Sequence, residues 1–503
     1  MKVIADLQLH SRFARAVSKE MTILKIAEWS RKKGIGLVAT GDWTHPLWFR
    51  EIEQNLEEIG NGLLRLKGFA QGGENFFDPL LARRGSAHQQ NVSTVQGNSD
   101  FPGVELGKRS SKISSPFAYQ PLFLLATEVS CIYSQGGRGR RIHTLIWVPT
   151  LSSARKISQE MTKRGCNLLS DGRPIIGLTS IEVAELVLTI EKDALIIPAH
   201  GWTPWFAVFG AKSGFDSLEE AFGPYAKYIY AVETGLSSDP AMNWRIQELD
   251  HRAILSFSDA HSGPKLGREA TVFEIDEHVM AERDEHLISY QDIHDAIVKP
   301  SGNARIAYTI EFYPEEGKYH YTGHRACNIR LTPDEARHKG MTCSVCGKLL
   351  TQGVMQRVEE LASRSEEDLR VSVFDAQITD GGAEVRMTKS LAFPDRPPYV
   401  MLVPLQEILA QAVGSPVASP KVQGPYHALV DALGGEFRVL LEVKKEKLAE
   451  VSSERIAEAI EKVRRRDIHI DPGYDGVFGV VKIWKKEAEK SLIDTSKEQL
   501  TIF

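Results

Sequence analysis

The chain has 503 residues, 42% of them hydrophobic and 25% charged, with a formal net charge of −5. That length exceeds what one hydrophobic core usually holds, so two or three domains of ordinary soluble-enzyme composition are expected. The negative balance excludes a polycation, so any contact with DNA must use local basic patches, and no apolar run approaches the ~20 residues of a membrane span.

The first stretch, Val3-Ile4-Ala5-Asp6-Leu7-Gln8-Leu9-His10, reads as a buried strand whose polar end puts Gln8 and His10 on one face. Neither a signal peptide nor a membrane partner is expected from such a start. Residues 18–34 read as a helix with an apolar stripe and basic residues toward its end, leading into a strand at 37–42 with His45 just beyond. Residues 71–117 are rich in Gly, Ser, Asn, Gln and Arg without periodicity, which predicts a mobile insertion between two strands. Strand pattern returns at 122–129 and 142–148, carrying Glu128 and His143. Helices at 154–164 and 180–189 then alternate with strands at 194–198, 228–232 and 254–257. His200 and the pair Asp259 and His261 stand just past strand ends.

In parallel α/β folds the carboxyl ends of the strands meet at one rim. Polar residues from almost every strand favour a closed or nearly closed β/α barrel over residues 1–310. A doubly wound open sheet, the competing fold, would concentrate them at one switch point. Residues 311–365 are polar and hold a cysteine cluster, and 366–488 read as a C-terminal α+β DNA-binding domain. In that region helices are predicted at 358–364, 404–412, 427–433 and 454–463, and strands at 437–443 and 477–484. Residues 489–503 form a charged tail.

A lone histidine on an apolar face is more often a satisfied core residue than a ligand. Gln8, His10, Asp42, His45, Glu128, His143, His200, Asp259 and His261 together outgrow that reading. They supply the imidazole and carboxylate mix suited to Zn, Mn, Mg or Fe and are numerous enough for two or three ions. Ions about 3.5–4 Å apart activate water near neutral pH and clamp the charge of an in-line phosphoryl displacement. Phosphoester hydrolysis is therefore the leading reaction class, with Asp259, His261 or His200 as candidates to move the proton.

The five cysteines are an odd number in a chain without an export signal, which predicts a reducing, cytoplasmic setting. Cys343-Ser344-Val345-Cys346-Gly347 reads as a zinc knuckle, with Cys327 shortly before it. His324, by proximity, or His320 would complete a closed structural Zn2+ site that builds a DNA-contacting lobe. Cys131 and Cys166 read as core or edge residues.

Asp6-Leu7-Gln8-Leu9-His10-Ser11, Gly41-Asp42-Trp43-Thr44-His45-Pro46, Thr127-Glu128-Val129, Arg141-Ile142-His143, Pro198-Ala199-His200 and Ser258-Asp259-Ala260-His261 resemble the motifs of the polymerase and histidinol phosphatase (PHP) superfamily. The resemblance implies a distorted seven-stranded β/α barrel with a trinuclear metal site. The chain departs from the pattern at Gln8, where the family usually has histidine, and amide oxygen is the weaker ligand. Within the superfamily, Ala199-His200-Gly201-Trp202-Thr203-Pro204-Trp205-Phe206, Glu233-Thr234-Gly235-Leu236-Ser237-Ser238-Asp239-Pro240 and the cysteine module resemble the endonuclease Q family. That likeness runs from residue 1 to about 484, interrupted by the insertion. It implies nicking of DNA on the 5′ side of hypoxanthine, uracil, xanthine or abasic sites, with Ser237 and Ser238 near the substrate. Trp202, Trp205 and Phe206 would stack on an extruded base or simply pack their loop on the barrel. Lys265 and Arg268 would hold phosphates or be ordinary solvated charges. Glu233 is expected beside the ligands without being one.

The terminal Gln499-Leu500-Thr501-Ile502-Phe503 resembles the peptide that binds the bacterial sliding clamp, with Gln499, Leu500, Ile502 and Phe503 as contacts, or is a frayed apolar terminus. The leading expectation is a DNA repair endonuclease. A small-molecule phosphoesterase and a non-catalytic DNA or clamp adaptor are the alternatives.

Overall fold

In a computed structural model of the chain, residues 1–68, 120–281, 287–299 and 302–484 are described. The predicted insertion 71–117 and the tail with its clamp-binding peptide lie outside them.

The N-terminal half runs β1 (Lys2–Asp6), α1 (Ile23–Lys33), β2 (Leu37–Ala39), α2 (Pro46–Asn55), β3 (Leu56–Glu58), β4 (Leu64–Leu66), β5 (Leu122–Gln135) and β6 (Arg138–Val148). It continues through α3 (Leu151–Lys163), β7 (Ile175–Ile176), α4 (Ser180–Ile190), β8 (Leu195–Pro198), α5 (Leu218–Phe222), β9 (Ala231–Glu233), α6 (Pro240–Trp244) and β10 (Ala253–Leu255). It closes with β11 (Ala270–Ile275), α7 (Glu277–Ala281), α8 (Tyr290–Val298) and β12 (Ala304–Glu311). Helix α1 starts later than the predicted residue 18, because the Thr22 hydroxyl accepts the Lys25 N–H as an N-cap. It stops at Gly34, whose φ of 85° suits a left-handed C-cap.

The fold is mixed α/β around one extended sheet. Its strand order is β11-β1-β2-β5-β4-β3, with β6 bridging β5 and β8, and with β1, β2 and β5 parallel. Strict strand and helix alternation fails at the long β5–β6 hairpin, whose two strands are antiparallel to each other, and at β11, which is antiparallel to both β1 and β12. The hairpin forms because Gly136 and Gly137 both take positive φ at the turn. The parallel strands are apolar on both faces, with Ala5, Leu37, Val38, Phe123, Leu124 and Leu125 fully buried.

The C-terminal part begins with β13 (Thr322–His324), β14 (Ile329–Leu331), α9 (Pro333–Lys339) and α10 (Val354–Leu361). Strands β15 (Val371–Gln377), β16 (Glu384–Ser390) and β17 (Tyr399–Met401) then join the main sheet, with β17 parallel to β12. Helices α11 (Leu405–Val413), α12 (Pro420–Leu433), α13 (Glu436–Leu441), α14 (Lys445–Val451) and α15 (Glu454–Arg464) follow, then β18 (His469–Asp471) and β19 (Val480–Lys482). The predicted strand 437–443 is helix α13. Phe437, Val439, Leu440 and Leu441 are all buried, and only Arg438 and Glu442, four residues apart, mark a polar side, too little in a run this short to reveal its period. The predicted helix 358–364 is α10, which stops at Leu361. Among the described residues, no helix is long and apolar enough to cross a membrane.

Candidate metal centre

Strand β1 runs on past Asp6, and the extension pairs with the loop after β10: Leu9 bridges Ala260 in parallel, and the His10 N–H donates to Ala260 O at 3.0 Å. Buried Asp6 secures the same loop, accepting from the Ser258 hydroxyl at 2.6 Å and the Gly267 N–H at 2.8 Å. The ends of β1 and β10 thereby set His10 beside Asp259 and His261.

Two donor groups result, each with ligand atoms within 4.8 Å of one another: His10, Asp259 and His261 in one, Glu128, His143 and His200 in the other. Glu128 connects them. Its Oε2 lies 3.2 Å from His10 Nε2, and its Oε1 lies 2.5 Å from His143 Nδ1. His10 Nε2 is also 3.1 Å from Asp259 Oδ1, while its Nδ1 meets Asp42 Oδ1 at 3.0 Å. Burial works against a charged His10 ring, but Asp42, Asp259 and Glu128 outweigh it and hold the ring well above the usual imidazole range. Burial pushes His143 down to about 4, leaving the neutral ring a metal requires. Burial also raises Glu128, yet Arg173 and His143 prevail and keep it ionised.

Three of these residues have backbones that L-residues rarely adopt: Asp42, His200 and Asp259 have φ of 43°, 31° and 47°. Such conformations persist only where surrounding contacts fix them, and they cluster at functional sites. Ser11 N–H holds Asp42 Oδ2 at 2.6 Å, and the His200 N–H donates to Glu233 Oε2 at 2.6 Å. Gln8 belongs to neither group. Its Nε2 donates to Glu128 Oε2 at 2.8 Å, and its Oε1 is buried without a hydrogen-bond donor. His45 also stands apart: it caps α2, its Nδ1 accepts the Trp48 N–H at 3.4 Å, and its ring stacks on Phe13. The imidazole and carboxylate donors of the two groups fit divalent ions.

Beside the bed opens a cavity of about 610 Å³, lined by His200, Asp259, Ser237, Lys265, Arg268, Lys318, Phe312, Tyr319 and Phe478 among others. Lys265 pairs with Glu407 at 2.8 Å, and the Arg268 Nη2 donates to Ser258 O at 3.2 Å. Trp202 takes the packing alternative: it is fully buried against Phe209, with its Nε1 donating to Asn243 at 2.8 Å. Ser238 is likewise structural, buried and bonded to Thr234 O. Trp205 is 36% exposed and meets Tyr319 edge-on, whereas Phe206 lies against the His143 ring. Lys318, Tyr319, Phe312 and Phe478 were not anticipated; the first two precede the cysteine module and carried no motif of their own. Arg173, also unanticipated, reaches the bed from a loop and places Nη1 3.3 Å from Glu128 Oε1.

In the polar lobe, His324, Cys327, Cys343 and Cys346 bring their donor atoms within 4.8 Å of one another, a closed four-donor set. His320 is instead buried beside Tyr321 and outside the set, so His324 is the fourth donor. Backbone N–H groups of Cys346 and Val345 draw the Cys343 thiol down to about 6, as a thiolate ligand requires.

The whole chain superposes on the whole of the lesion-specific endonuclease PfuEndoQ from Pyrococcus furiosus, with TM-score 0.71 and 29% identity. A second crystal structure, of Endonuclease Q in complex with a 27-mer duplex substrate with an abasic lesion at the active site, matches over both full chains with TM-score 0.70 and 29% identity. The chain belongs to the endonuclease Q family. Two curated proteins are similar to this endonuclease Q family chain. Protein YqxK of Bacillus subtilis is 29% identical over 386 residues, 76% of this chain and 84% of its own length. Protein MJ0043 of Methanocaldococcus jannaschii is 27% identical over 309 residues, 60% of this chain, and the match spans only 34% of that longer protein. Residues 404–467 match the family described as the MJ0043 C-terminal domain, which here is α11 through α15.

Proposed function

We propose that this endonuclease Q family chain is a metal-dependent DNA repair endonuclease that nicks the phosphodiester bond 5′ to deaminated bases or abasic sites. The observation that carries the reading is the pair of donor groups joined through Glu128, set at the mouth of a cavity with cationic and aromatic walls. The known neighbour bound to an abasic duplex supports DNA as the substrate.

His10, Glu128, His143, His200, Asp259 and His261 are assigned to hold the ions in the two donor groups, with Asp42 orienting His10, while Gln8 and His45 stand outside them. Divalent ions bound there supply activated water near neutral pH and Lewis acidity for an in-line displacement. Lys265, Arg268 and Lys318 draw the backbone phosphates to the cavity, and Phe312, Tyr319 and Phe478 offer flat faces to an unstacked nucleotide. His261, at 35% exposure, faces solvent; its Nδ1 sits 2.8 Å from Asp259 O, which places the proton there and leaves Nε2 as the ligand or base. The lobe set is read as a structural Zn2+ site beside the DNA path.

A distorted seven-stranded PHP barrel is the fold reading for residues 1–310. It is supported by the continuous run β1-β2-β5-β6-β8, by the Gly201 N–H to Glu233 O bond at 2.9 Å leading to β9 and β10, and by the Leu9–Ala260 bridge returning to β1. The clamp-binding reading of residues 499–503 stays a proposal from the sequence, testable by binding of that peptide to a purified bacterial clamp.

Duplexes bearing one hypoxanthine, one uracil or one abasic site, incubated with the parent protein and with Asp259→Ala, test the function. Nicking 5′ to the lesion, reduced about 100-fold or more in the variant, is expected. Hydrolysis of small phosphate esters without nicking would instead support a phosphoesterase, and binding without hydrolysis an adaptor.

A further inference from the structure

Arg173 is held over the metal bed by both of its flanks. The Gly172 N–H donates to Phe13 O at 3.1 Å, and a Cβ at Gly172 would overlap the Asp42 carboxylate and Ala14. Asp171 Oδ1 accepts from the N–H groups of Arg15 and Arg173 at 3.2 and 3.1 Å, and Pro174 O accepts from the Ser130 N–H at 3.0 Å. A loop pinned this closely delivers its arginine to one place. There Nη1 lies 3.4 Å from His10 Nε2, in one donor group, and 3.3 Å from Glu128 Oε1, in the other.

Gln8 faces the same junction and presents its NH2, a donor, to Glu128 Oε2 at 2.8 Å. An ion bridging the two groups would need acceptors at this junction. It meets the two Glu128 oxygens already engaged, Oε1 by the guanidinium and Oε2 by the amide NH2. The guanidinium is a permanent cation, and it shares the field of Asp42, Glu128 and Asp259 that another divalent ion would otherwise neutralise.

We propose that Arg173 is the resident third cation of the bed: with the Gln8 amide it fills the junction between the donor groups, so the bed takes two divalent ions and not three. The inference rests on the metal-bed reading above but not on which bond is cut. The double variant Gln8→His/Arg173→Ala replaces both blocking groups, one of them by an imidazole lone pair, and opens the junction to a third ion. Arg173→Lys keeps a cation there and holds the count at two.

The test is anomalous diffraction from crystals of the full chain grown with Mn2+, for the parent, Arg173→Lys and the double variant, with thermal melts to establish that each folds. The parent and Arg173→Lys are expected to show two peaks in the bed, one at His10, Asp259 and His261 and one at Glu128, His143 and His200. A third peak is expected in the double variant. Three peaks in the parent with Arg173 turned away, fewer than two peaks, or an unchanged pair in a folded double variant would each overturn the proposal. A protein that nicks no lesion-bearing duplex yet shows the expected counts would overturn the proposed function and leave this inference standing.

Discussion

Glu233 accepts the backbone N–H of His200 at 2.6 Å, a carboxylate holding a metal-bed histidine by its main chain. The contact explains how His200 keeps a φ of 31°, since Gly235 passes so close beneath it that a Cβ there would overlap the His200 Cβ. Glu233→Ala is expected to weaken Mn2+ binding about 10–100-fold by calorimetry, while Glu233→Gln, which keeps an acceptor oxygen, retains most of the affinity.

Glu311 is buried under the β9–β10 end of the bed, with Ser256 Oγ at 2.5 Å and the Thr309 hydroxyl beside it. Burial raises its carboxyl to about 8, with Asp239 adding to the rise and the hydroxyls opposing it. The folded value exceeds the unfolded one, so its stabilising contribution is complete below about 4.5 and is lost as pH rises through about 8. Thermal melts from pH 5 to 9 should show the parent losing on the order of 2–4 kcal/mol more than Glu311→Gln.

Buried Lys33 and Glu436 form an ion pair at 2.7 Å that ties α1 to α13. Glu436 also accepts from the Tyr426 hydroxyl at 2.9 Å and the Leu405 N–H at 3.0 Å, so removing the lysine strands a buried carboxylate. Lys33→Ala is expected to cost about 3–5 kcal/mol in chemical denaturation, and Lys33→Met paired with Glu436→Gln distinctly less.

The lobe has a small apolar cluster of its own, Leu331, Ala336, Cys343 and Leu350, too few residues to hold it folded alone. Cys343→Ser with Cys346→Ser should therefore lose its ion by elemental analysis and expose the segment between β13 and α10 to protease. The rest of the chain is expected to melt as before.

Of the donors that the structure groups together, His10, His200, Asp259 and His261 were legible because they stand just past apolar strand runs, whereas Glu128 and His143 lie inside β5 and β6. Helices α11 and α15 were legible from their one-sided apolar stripes. Arg173 was not, because its Asp-Gly-Arg-Pro loop has no periodicity and its role depends on Asp42 and Glu128, brought near only by folding. Nor was the fate of Trp202, whose loop curls inward so that Asn243 satisfies the indole N–H. The full length of the β5–β6 hairpin was not legible for another reason: its outer ends, Ser134-Gln135 and Arg138-Gly139-Arg140-Arg141, are polar and read as turn.

The most direct measurement is nicking of a duplex with one abasic site by chelator-stripped protein to which Mn2+ is returned, with Asp259→Ala beside it. Stripped protein is expected to be silent and returned ion to restore the nick, while folded Asp259→Ala stays at least about 100-fold slower at the same Mn2+ concentration. Full-rate nicking by the stripped protein, or by Asp259→Ala, would contradict catalysis by ions shared between the two donor groups.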